Sequence, residues 1–541
     1  MGYPDSMKAS IKKLESTREA RMQQDIPLLS LEEKNRLLQE FHPDYRTGAH
    51  REISVGVNKG DRAVSELVDL LEAGSLVDPD NLDVNDNFFS VDVLILGGGG
   101  AGLTAALYSH DAGASVALAT KLRLGDSNTI MAEGGINAAI SPGDSPAIHY
   151  IDTMGGGNFT NIPDLVRALV LDSPFIIKWL EEMGVPFDKD PDSDLPMPHL
   201  AGGHSRPRVC PVGDHTGMSI IHALREEVER RAVRILEFVP AVDLILDENG
   251  QCAGAILFDL ESNQFQIVRS KIVIIATGGI GRLHIQKFPT TNHYGATADG
   301  LVIAYRTGAK LGFMDSIQFH PTATAYPELL LGALVTEVAR SRGAHLVNAA
   351  GERYINELET RDVVASANIK QVVREKKGVE TPLGMQGVWL DTPLIDMIQG
   401  AGTVQKHYQH LYKRFIKYGI DFSKDPILVY PAEHYQNGGV ITDDMGKCNV
   451  PNLYVVGEAA GGVHGRNRLG GNSLSDIFVF GRRAGIQAGQ TYTDIRIGKP
   501  TLSHVKAYHQ ELKAAGIDNH RKSPMLLPDY QFEKSLPVFQ Q

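Results

Sequence analysis

Three glycines in the first half of the chain have the spacing that lets a backbone approach a phosphate group. Gly97, Gly99 and Gly102 form a GxGxxG pattern within "SVDVLILGGGGAGLTAALYSHDAGASVALAT". The first glycine of such a pattern permits a tight turn, the second admits a pyrophosphate, and the third lets a helix pack closely on a strand. The following helix would direct its partly positive N-terminus at the phosphates. The sequence therefore predicts dinucleotide binding rather than a purely structural turn.

The elements that position this turn are apolar strands that each end in glycine. The strand before Gly97 is followed later by "KIVIIATGG" and by "NLYVVGEAAGG". Three such strands would place three loops at one edge of a parallel sheet, where ligands bind in doubly wound folds. The second strand of the motif ends in Thr120 and Lys121 rather than in an acidic residue. This difference argues against a plain NAD site and leaves ribose binding to another group.

Composition narrows the class of protein. With 541 residues the chain is expected to contain two or three domains, and its net charge of −12 argues against nucleic-acid binding. Only three cysteines occur, without a CxxC pair, so we predict no disulfide framework, no iron–sulfur cluster and no metal site in this chain. No apolar run is long enough to cross a bilayer and the polar start resembles no signal segment. We therefore expect a cytoplasmic protein.

The ends of the chain differ in character from its middle. Residues 1–88 form a polar extension in which we predict helices near Leu31–Glu40 and Ala63–Ala73, followed by a linker, "DPDNLDVNDN". The last segment, 493–541, is predicted to contain one helix and an extended end. Neither segment carries a motif with assignable chemistry, so packing or partner docking is their expected role.

The middle of the chain resembles the flavoprotein subunits of fumarate reductase and succinate dehydrogenase, with L-aspartate oxidase as a close relative. The resemblance rests on "GGGGAGL", "SNTIMAEGGINAA", "DHTG", "QFHPTA", "VTEVAR", "TRDVV", "AEHYQNGG" and "HGRNRLGGNSL", in the family's order. It implies an α/β fold in which a Rossmann-like FAD-binding domain is interrupted by an α+β capping domain. We place the FAD-binding domain at 89–312 and 430–492 and the capping domain at 313–429. The N-terminal extension is then foreign to the family and the C-terminal tail is shortened.

The resemblance also implies a set of residues around FAD. These are Gly97, Gly99, Gly102, Lys121, Ser127, Asn128, Thr129, Gly134, Gly135, Asp299, Glu458, Asn472, Ser473 and Leu474. Asp214, Thr216 and Gly217 are assigned to structural or cofactor-adjacent positions.

A second implied set would bind a substrate with a carboxylate at each end. By resemblance, Arg468 and His434 hold one carboxylate, and His320 and Thr336 hold the other. The planar guanidinium of arginine suits this task because it can make two parallel hydrogen bonds to one carboxylate. The implied reaction is hydride transfer from flavin N5 to fumarate, or to a closely related unsaturated dicarboxylate.

Proton donation in this reaction falls, by resemblance, to Arg361. Arginine has a very high pKa and can act as an acid only if it is reprotonated at once. Glu337 and Arg340 would provide the relay, since their i, i+3 spacing places them on one helix face.

Asn128 stands where most respiratory members of the family carry the histidine that is joined covalently to the flavin. An asparagine amide cannot form that bond, so we expect FAD to be held non-covalently. Loss of the electron-withdrawing histidyl substituent would lower the flavin's reduction potential. The sequence therefore favours fumarate reduction over succinate oxidation.

Two alternatives stay open. L-Aspartate oxidase shares most of the site, but the glutamate that it carries just before "GGHS" is Ala201 here, and the phenylalanine usual in fumarate reductases is also absent. The chain could instead be a flavin electron-transfer protein without a substrate of its own. The resemblance further implies an iron–sulfur partner subunit, with direct oxidation by O₂ or a soluble donor as the other route. Through partners the chain could associate with the inner face of a membrane.

Overall fold

A computed structural model of the chain describes residues 2–192, 195–517 and 520–528. Its helices are α1 (Asp5–Met22), α2 (Leu31–Phe41), α3 (Ser65–Leu71), α4 (Gly100–Asp111), α5 (Pro146–Gly156), α6 (Pro163–Glu182), α7 (Thr216–Arg230), α8 (Asp299–Arg306), α9 (Val338–Ser341), α10 (Arg361–Val373), α11 (Pro393–Gln399), α12 (Thr403–His407), α13 (Gln409–Ile416), α14 (Asn472–Thr491) and α15 (Ser503–Ala514). No helix among these described residues is both long and apolar enough to cross a membrane.

The strands are mostly short. They are β1 (His50–Glu52), β2 (Arg62–Val64), β3 (Gly74–Ser75), β4 (Phe89–Leu96), β5 (Val116–Ala119), β6 (Ile136–Asn137), β7 (Val209–Cys210), β8 (Arg234–Leu236), β9 (Ala241–Asp247), β10 (Cys252–Asp259), β11 (Gln264–Ile275), β12 (Leu311–Gly312), β13 (Ile317–Thr324), β14 (His345–Val347), β15 (Val379–Glu380), β16 (Gln386–Asp391), β17 (Ile427–Gln436), β18 (Gly439–Ile441), β19 (Leu453–Val455), β20 (Ala460–Gly461), β21 (Pro500–Thr501) and β22 (Lys522–Ser523).

The larger sheet has eight strands and carries the glycine turn. β4 pairs in parallel with β5 and with β11, and β11 pairs in parallel with β19, so that Leu96, Ile275 and Val455 end side by side. Both faces of these strands are buried, which explains why their sequences are continuously apolar. The prediction that three glycine-terminated strands meet at one sheet edge is confirmed.

Helices α4, α6, α7 and α14 pack on one face of this sheet and bury a common apolar core. The tightest contact is between α4 and α14, where Gly481 and Gly485 face the backbone of α4: a Cβ at either would lie 2.7 Å from a carbonyl oxygen of Ala101 or Ala105. The small residues therefore set the distance between the helix that follows the glycine turn and the helix that begins at Asn472.

A second, antiparallel sheet lies in the segment that we propose as the capping domain. Its order is β13-β17-β16-β14, with β15 added to β16. One of its strands, β17, spans residues 427–436 and so runs across the boundary placed at residue 429. The sheet supports α10, which packs on β13 and begins at Arg361.

The N-terminal extension packs against both parts of the chain. The predicted helices near Leu31–Glu40 and Ala63–Ala73 are present as α2 and α3. The sequence pattern did not predict α1, because, of its three buried residues, Met7, Leu14 and Arg21, only the first two are apolar and they lie seven residues apart. α2 packs on α10, whereas α3 packs on α8, which in turn contacts β9 of the larger sheet.

The C-terminal tail contains the predicted helix as α15. Beyond it, β22 pairs in parallel with β3 of the extension, Lys522 opposite Gly74. The two ends of the chain thus meet on the flank of α8, where Arg306 donates to the Ser523 carbonyl oxygen at 2.6 Å. The extended end predicted for the tail lies largely at residues 529–541, outside the described residues.

Candidate active site

A cavity of about 570 Å³ opens where β4, β11 and β19 end. This volume lies within the usual range for small-molecule and cofactor sites. Most of the residues predicted around the cofactor line it: Gly97, Gly99, Lys121, Ser127, Asn128, Thr129, Gly134, Gly135, Asp299, Glu458, Ser473 and Leu474. The structure therefore brings together in one wall residues from six separate segments of the sequence.

The glycine turn has the geometry that its spacing predicts. Gly97 has φ +118°, and a Cβ there would lie 2.3 Å from the Ala276 carbonyl oxygen of the residue after β11. A Cβ at Gly102 would lie 1.9 Å from the Gly97 carbonyl oxygen, so this glycine packs helix on turn rather than lining the cavity. α4 then begins at Gly100 with its N-terminus at the cavity wall, where an anionic ligand is favoured.

Lys121 and Asp299 form a buried ion pair in the wall. Lys121 Nζ lies 2.6 Å from Asp299 Oδ2 and donates to the Thr297 hydroxyl at 2.5 Å. The second strand of the motif ends without an acidic residue, but Asp299 at the start of α8, 178 residues after Lys121, places a carboxylate there. Thr297 also donates to the Met525 carbonyl oxygen, which ties the C-terminal tail to this end of the cavity.

Asn128 is fixed by three side-chain hydrogen bonds. Its amide nitrogen donates to Asn292 Oδ1 at 2.6 Å and to Glu458 Oε2 at 3.2 Å, and its oxygen accepts from the His293 backbone at 2.7 Å. Glu458 also accepts from the Gln436 backbone at 3.0 Å, and burial raises its pKa. Asn128 therefore does more than form a turn, because it links three segments of the wall.

Asn472 lies just behind the wall. It accepts from Asn137 at 2.7 Å, lies 2.9 Å from His149 Nε2, and donates to the Thr153 hydroxyl at 3.1 Å. These contacts fix the start of α14, and the next two residues, Ser473 and Leu474, reach the cavity.

At one end of the cavity three of the predicted substrate residues meet: Arg361, His434 and Arg468. The two guanidiniums are bridged by Gln318, whose Oε1 accepts from Arg361 Nη1 and from Arg468 Nη2, both at 3.1 Å. Burial and the neighbouring Arg361 lower the pKa of Arg468 to about 9. Two buried cations held by a neutral amide leave an excess of positive charge, which favours an anionic ligand.

Glu337 joins Arg361 to Arg340. Arg361 donates to Glu337 Oε2 from Nε at 2.8 Å and from Nη2 at 2.6 Å, and Arg340 Nη2 lies 3.4 Å from Glu337 Oε1. Burial by itself would raise the pKa of Glu337, but the two guanidiniums outweigh it and lower that pKa to about 2. Arg340 is also anchored by a hydrogen bond to the Glu357 carbonyl oxygen. The three side chains form one continuous buried path.

His320 and Thr336 lie behind the cavity wall and are almost fully buried. The His320 ring lies edge-on to that of His434, with centroids 4.9 Å apart. Burial, followed by the charge of Arg361, lowers the pKa of both histidines well below the usual value, so they are neutral hydrogen-bonding groups. The Thr291 hydroxyl lies 2.7 Å from His434 Nδ1 and helps to fix its ring.

Sequence reasoning missed three residues that shape this end of the cavity. Gln318 bridges the arginines, and the Tyr435 ring lies 4.3 Å from the Arg468 guanidinium carbon. Gly470 permits a close approach, since a Cβ there would lie 2.7 Å from Glu337 Oε2 and 2.9 Å from Arg361 Nη2. All three lie inside motifs that carry the family resemblance, "QFHPTA", "AEHYQNGG" and "HGRNRLGG". Their place in these motifs was the one sequence feature that could have indicated a role in the site.

Comparison with known proteins identifies relatives of this chain. A family model described as an FAD binding domain matches residues 92–474. A fumarate reductase (CoM/CoB) subunit of Methanothermobacter marburgensis is 39% identical over 418 residues, covering 75% of this chain and 74% of that protein. L-Aspartate oxidase of Streptomyces coelicolor is 36% identical over 423 residues, covering 75% and 69%. The structure of a variant of FrdA from E. coli quinol fumarate reductase superimposes with a TM-score of 0.71 at 30% identity, covering 79% and 74%.

The glycine turn at a helix N-terminus, the cavity beneath it and the matching family model define an FAD-dependent oxidoreductase. The residues fit this cofactor, because Gly97 and Gly99 keep the turn free of side chains and Glu458 offers a buried carboxyl to a ribityl-type hydroxyl. More particularly, the chain belongs to the family of fumarate reductase and succinate dehydrogenase flavoproteins.

Proposed function

We propose that the protein catalyses the FAD-dependent reduction of fumarate, or of a closely related unsaturated dicarboxylate, to the saturated acid. The observation that carries this proposal is the meeting of Arg361, His434 and Arg468 at one end of the cofactor cavity, with Glu337 holding Arg361 from behind. FAD held in this cavity and reduced beforehand by the electron donor would supply the hydride.

One carboxylate of the substrate would be held by Arg468 and His434. Arg468 is held in place by Gln318 and Tyr435, so its guanidinium is already oriented before substrate arrives. Neutral His434 can donate a hydrogen bond without adding charge. We assign the second carboxylate to His320 and Thr336, which stand directly behind this wall. Holding both ends of the substrate would orient the double bond, and correct placement alone can supply a large share of a rate enhancement.

The proton would come from Arg361. Its Nη1 donates to Gln318, which also accepts from Arg468, whereas its Nε and Nη2 donate to Glu337. Once Arg361 has given its proton to the substrate, Glu337 would take a proton from Arg340 on one oxygen and pass a proton to Arg361 from the other, and Arg340 would then be reprotonated from the side away from the cavity. The path therefore begins at a donor beside the substrate and continues away from the cavity.

We infer that FAD is bound without a covalent link at residue 128. Asn128 lies in the cavity wall, but its amide is committed to Asn292, His293 and Glu458 and has no nucleophilic atom. A flavin without a histidyl substituent has a lower reduction potential, which favours delivery of electrons to the substrate.

L-Aspartate oxidation is the second candidate, because L-aspartate oxidases are among the relatives. Residue 201 argues against it, since an alanine offers no carboxylate to a substrate ammonium group. The neighbouring Gly202 amide donates to Glu337 Oε1 at 3.1 Å, so this loop contributes backbone donors beside the anion-binding end. A role as an electron-transfer protein without its own substrate would leave this buried cationic end unexplained.

We also propose a partner that delivers electrons. One relative is named as one of the subunits of a fumarate reductase, which implies further subunits for that protein. For this chain we propose an iron–sulfur subunit, with a soluble donor as the alternative. The surface formed by the N-terminal extension and the C-terminal tail, joined through β3 and β22, differs from the family core and is the region we propose for docking.

The deciding experiment is a pair of assays on the purified holoprotein. Fumarate is supplied with a reduced low-potential dye under anaerobic conditions, and aspartate is supplied under air while hydrogen peroxide is followed. The proposal expects turnover in the first assay and none in the second, and Arg361→Lys should abolish the first while FAD stays bound. Robust peroxide formation from aspartate would replace fumarate reduction as the assigned activity.

A further inference from the structure

Two histidines and an aspartate in the lining of the cavity lie close together, outside the set of residues assigned to the substrate. Asp214 and His215 precede α7 in the FAD-binding part, and His410 lies in the first turn of α13 in the proposed capping domain. One ligand atom from each residue can be chosen so that all lie within 4.8 Å of one another. The imidazole rings of His215 and His410 face each other with centroids 4.9 Å apart.

The carboxylate of Asp214 is already oriented by the backbone of α13. Its Oδ2 accepts from the amides of His410 and Leu411 at 2.8 and 3.0 Å. Its other oxygen, Oδ1, faces His215 Nδ1 at 3.8 Å. Hydrogen bonds that fix a carboxylate in this way are typical of the outer shell of metal sites, because they hold the ligand in place before the ion arrives.

The two arginines near the cluster, Arg342 and Arg414, each have other hydrogen-bonding partners. On α13, Lys413 is exposed to solvent, and Arg414 lies 3.3 Å from Glu133 Oε1 and donates to the Leu334 carbonyl oxygen. Arg342, which lines a small cavity together with Asp214, lies 3.3 Å from His199 Nε2 through its Nη2. His215 Nδ1 is buried and has no hydrogen-bond partner among the described residues. One carboxylate and two imidazoles thus lie close enough together to share one ion.

We propose that Asp214, His215 and His410 bind a divalent transition-metal ion of the Zn²⁺ or Ni²⁺ type. Imidazole and carboxylate ligands select such ions over Mg²⁺ or Ca²⁺, which prefer oxygen alone. Bond lengths near 2.0–2.2 Å would require the three ligand atoms to close by about 1 Å, which rotation of the exposed His410 side chain can supply. Further positions stay open to water from the cavity.

This proposal departs from the sequence-based prediction of no metal site, which rested on the absence of cysteine pairs and so bears only on sites with cysteine ligands. The three ligands come from two parts of the chain that lie about 200 residues apart in sequence. A bound ion would therefore cross-link α13 to the segment before α7. The inference does not depend on which substrate the protein reduces.

The test is metal binding by the FAD-loaded protein. After treatment with a chelator, the protein is titrated calorimetrically with Zn²⁺ and, separately, with Ni²⁺. One equivalent should bind, and Zn²⁺ should raise the thermal midpoint of unfolding because it binds the native state alone. His410→Ala and His215→Ala should each weaken binding by at least about tenfold, in line with the loss of one ligand.

The matched control is His222→Ala, which removes an exposed histidine from α7 itself. This variant should bind Zn²⁺ as the unchanged protein does. Binding that survives His410→Ala, or that is weakened equally by His222→Ala, would overturn the proposal. Because His410 is exposed, its replacement should leave the fold intact, and a normal flavin spectrum would verify this.

Discussion

Arg361 directs two of its nitrogens, Nε and Nη2, at a single oxygen of Glu337, at 2.8 and 2.6 Å. The third nitrogen, Nη1, is free of this carboxylate and turns toward Gln318 and the cavity. Because Glu337 Oε1 faces Arg340 instead, each oxygen of the carboxylate serves a different arginine. Because each oxygen contacts a different arginine, Glu337 is placed to pass a proton from one guanidinium to the other.

Glu337→Gln should lower kcat for fumarate reduction by about 10²–10⁴-fold, the usual contribution of a proton-transfer group. The amide keeps the size of the side chain but cannot return a proton to Arg361. Stopped-flow reoxidation of the reduced flavin by fumarate would measure the effect. The exposed carboxylate Glu352 offers a control, since Glu352→Gln should leave the rate unchanged. A full rate in the Glu337 variant would remove this residue from the proton path.

Gly470→Ala should reduce kcat/KM by about 10²-fold, the scale expected for a displacement of about 1 Å. The added Cβ would lie 2.7 Å from Glu337 Oε2 and 2.9 Å from Arg361 Nη2, so the pair must shift. Gly155→Ala, where the nearest atom would be 4.0 Å away, is the control. Equal kinetics in the two variants would show that the pair tolerates displacement.

Denaturation should release all of the flavin from the polypeptide. Asn128 supplies hydrogen bonds to the wall but no nucleophile, so nothing retains the cofactor once the wall unfolds. The measurement is flavin absorbance in the filtrate and on the precipitated chain after acid treatment. Yellow colour that stays with the polypeptide would contradict non-covalent binding.

The stability of the protein should fall as the pH rises through the titration of Glu133. Burial raises the pKa of this carboxyl from its ordinary value of 4.5 to about 8, even though Arg414 lies 3.3 Å away. Its folded-state pKa lies above the unfolded value, so its contribution to stability is complete below about pH 4.5 and is lost as pH approaches and passes about 8.

Thermal unfolding from about pH 5 to about pH 9 would test this, with Glu133→Gln as the comparison. The glutamine has no charge to bury, so the variant should gain stability relative to the unchanged protein as pH rises. Parallel curves for the two proteins would mean that Glu133 is ionised throughout.

Arg21→Ala should destabilise the protein by about 3 kcal/mol, the lower end of the range for leaving a buried charge short of a partner. Arg21 Nη2 lies 2.7 Å from Asp391, which is fully buried, and Arg18 remains as its other partner at 2.8 Å. Denaturant unfolding followed by tryptophan fluorescence suits this region, because Trp389 donates to Ser10 of α1. Lys12→Ala, at an exposed site on α1, should have little effect.

The sequence by itself determined the glycine turn, the strands that end beside it and the helices whose apolar residues recur regularly. These features are local, since the spacing of glycines and apolar side chains acts over one strand–turn–helix unit. α1 was not predicted because its contacts are not local: Tyr3, Arg18 and Arg21 form hydrogen bonds with residues more than 300 positions away.

Only the tertiary structure decided which motif residues reach the cavity and which support it from behind. Gly102 and Asn472 pack elements together, whereas Gln318 lies between two arginines that the sequence separates by about a hundred residues. Side-chain direction at a given position depends on the packing of distant segments. A linear pattern can therefore name the groups that do the chemistry, but the fold alone sets the distances between them.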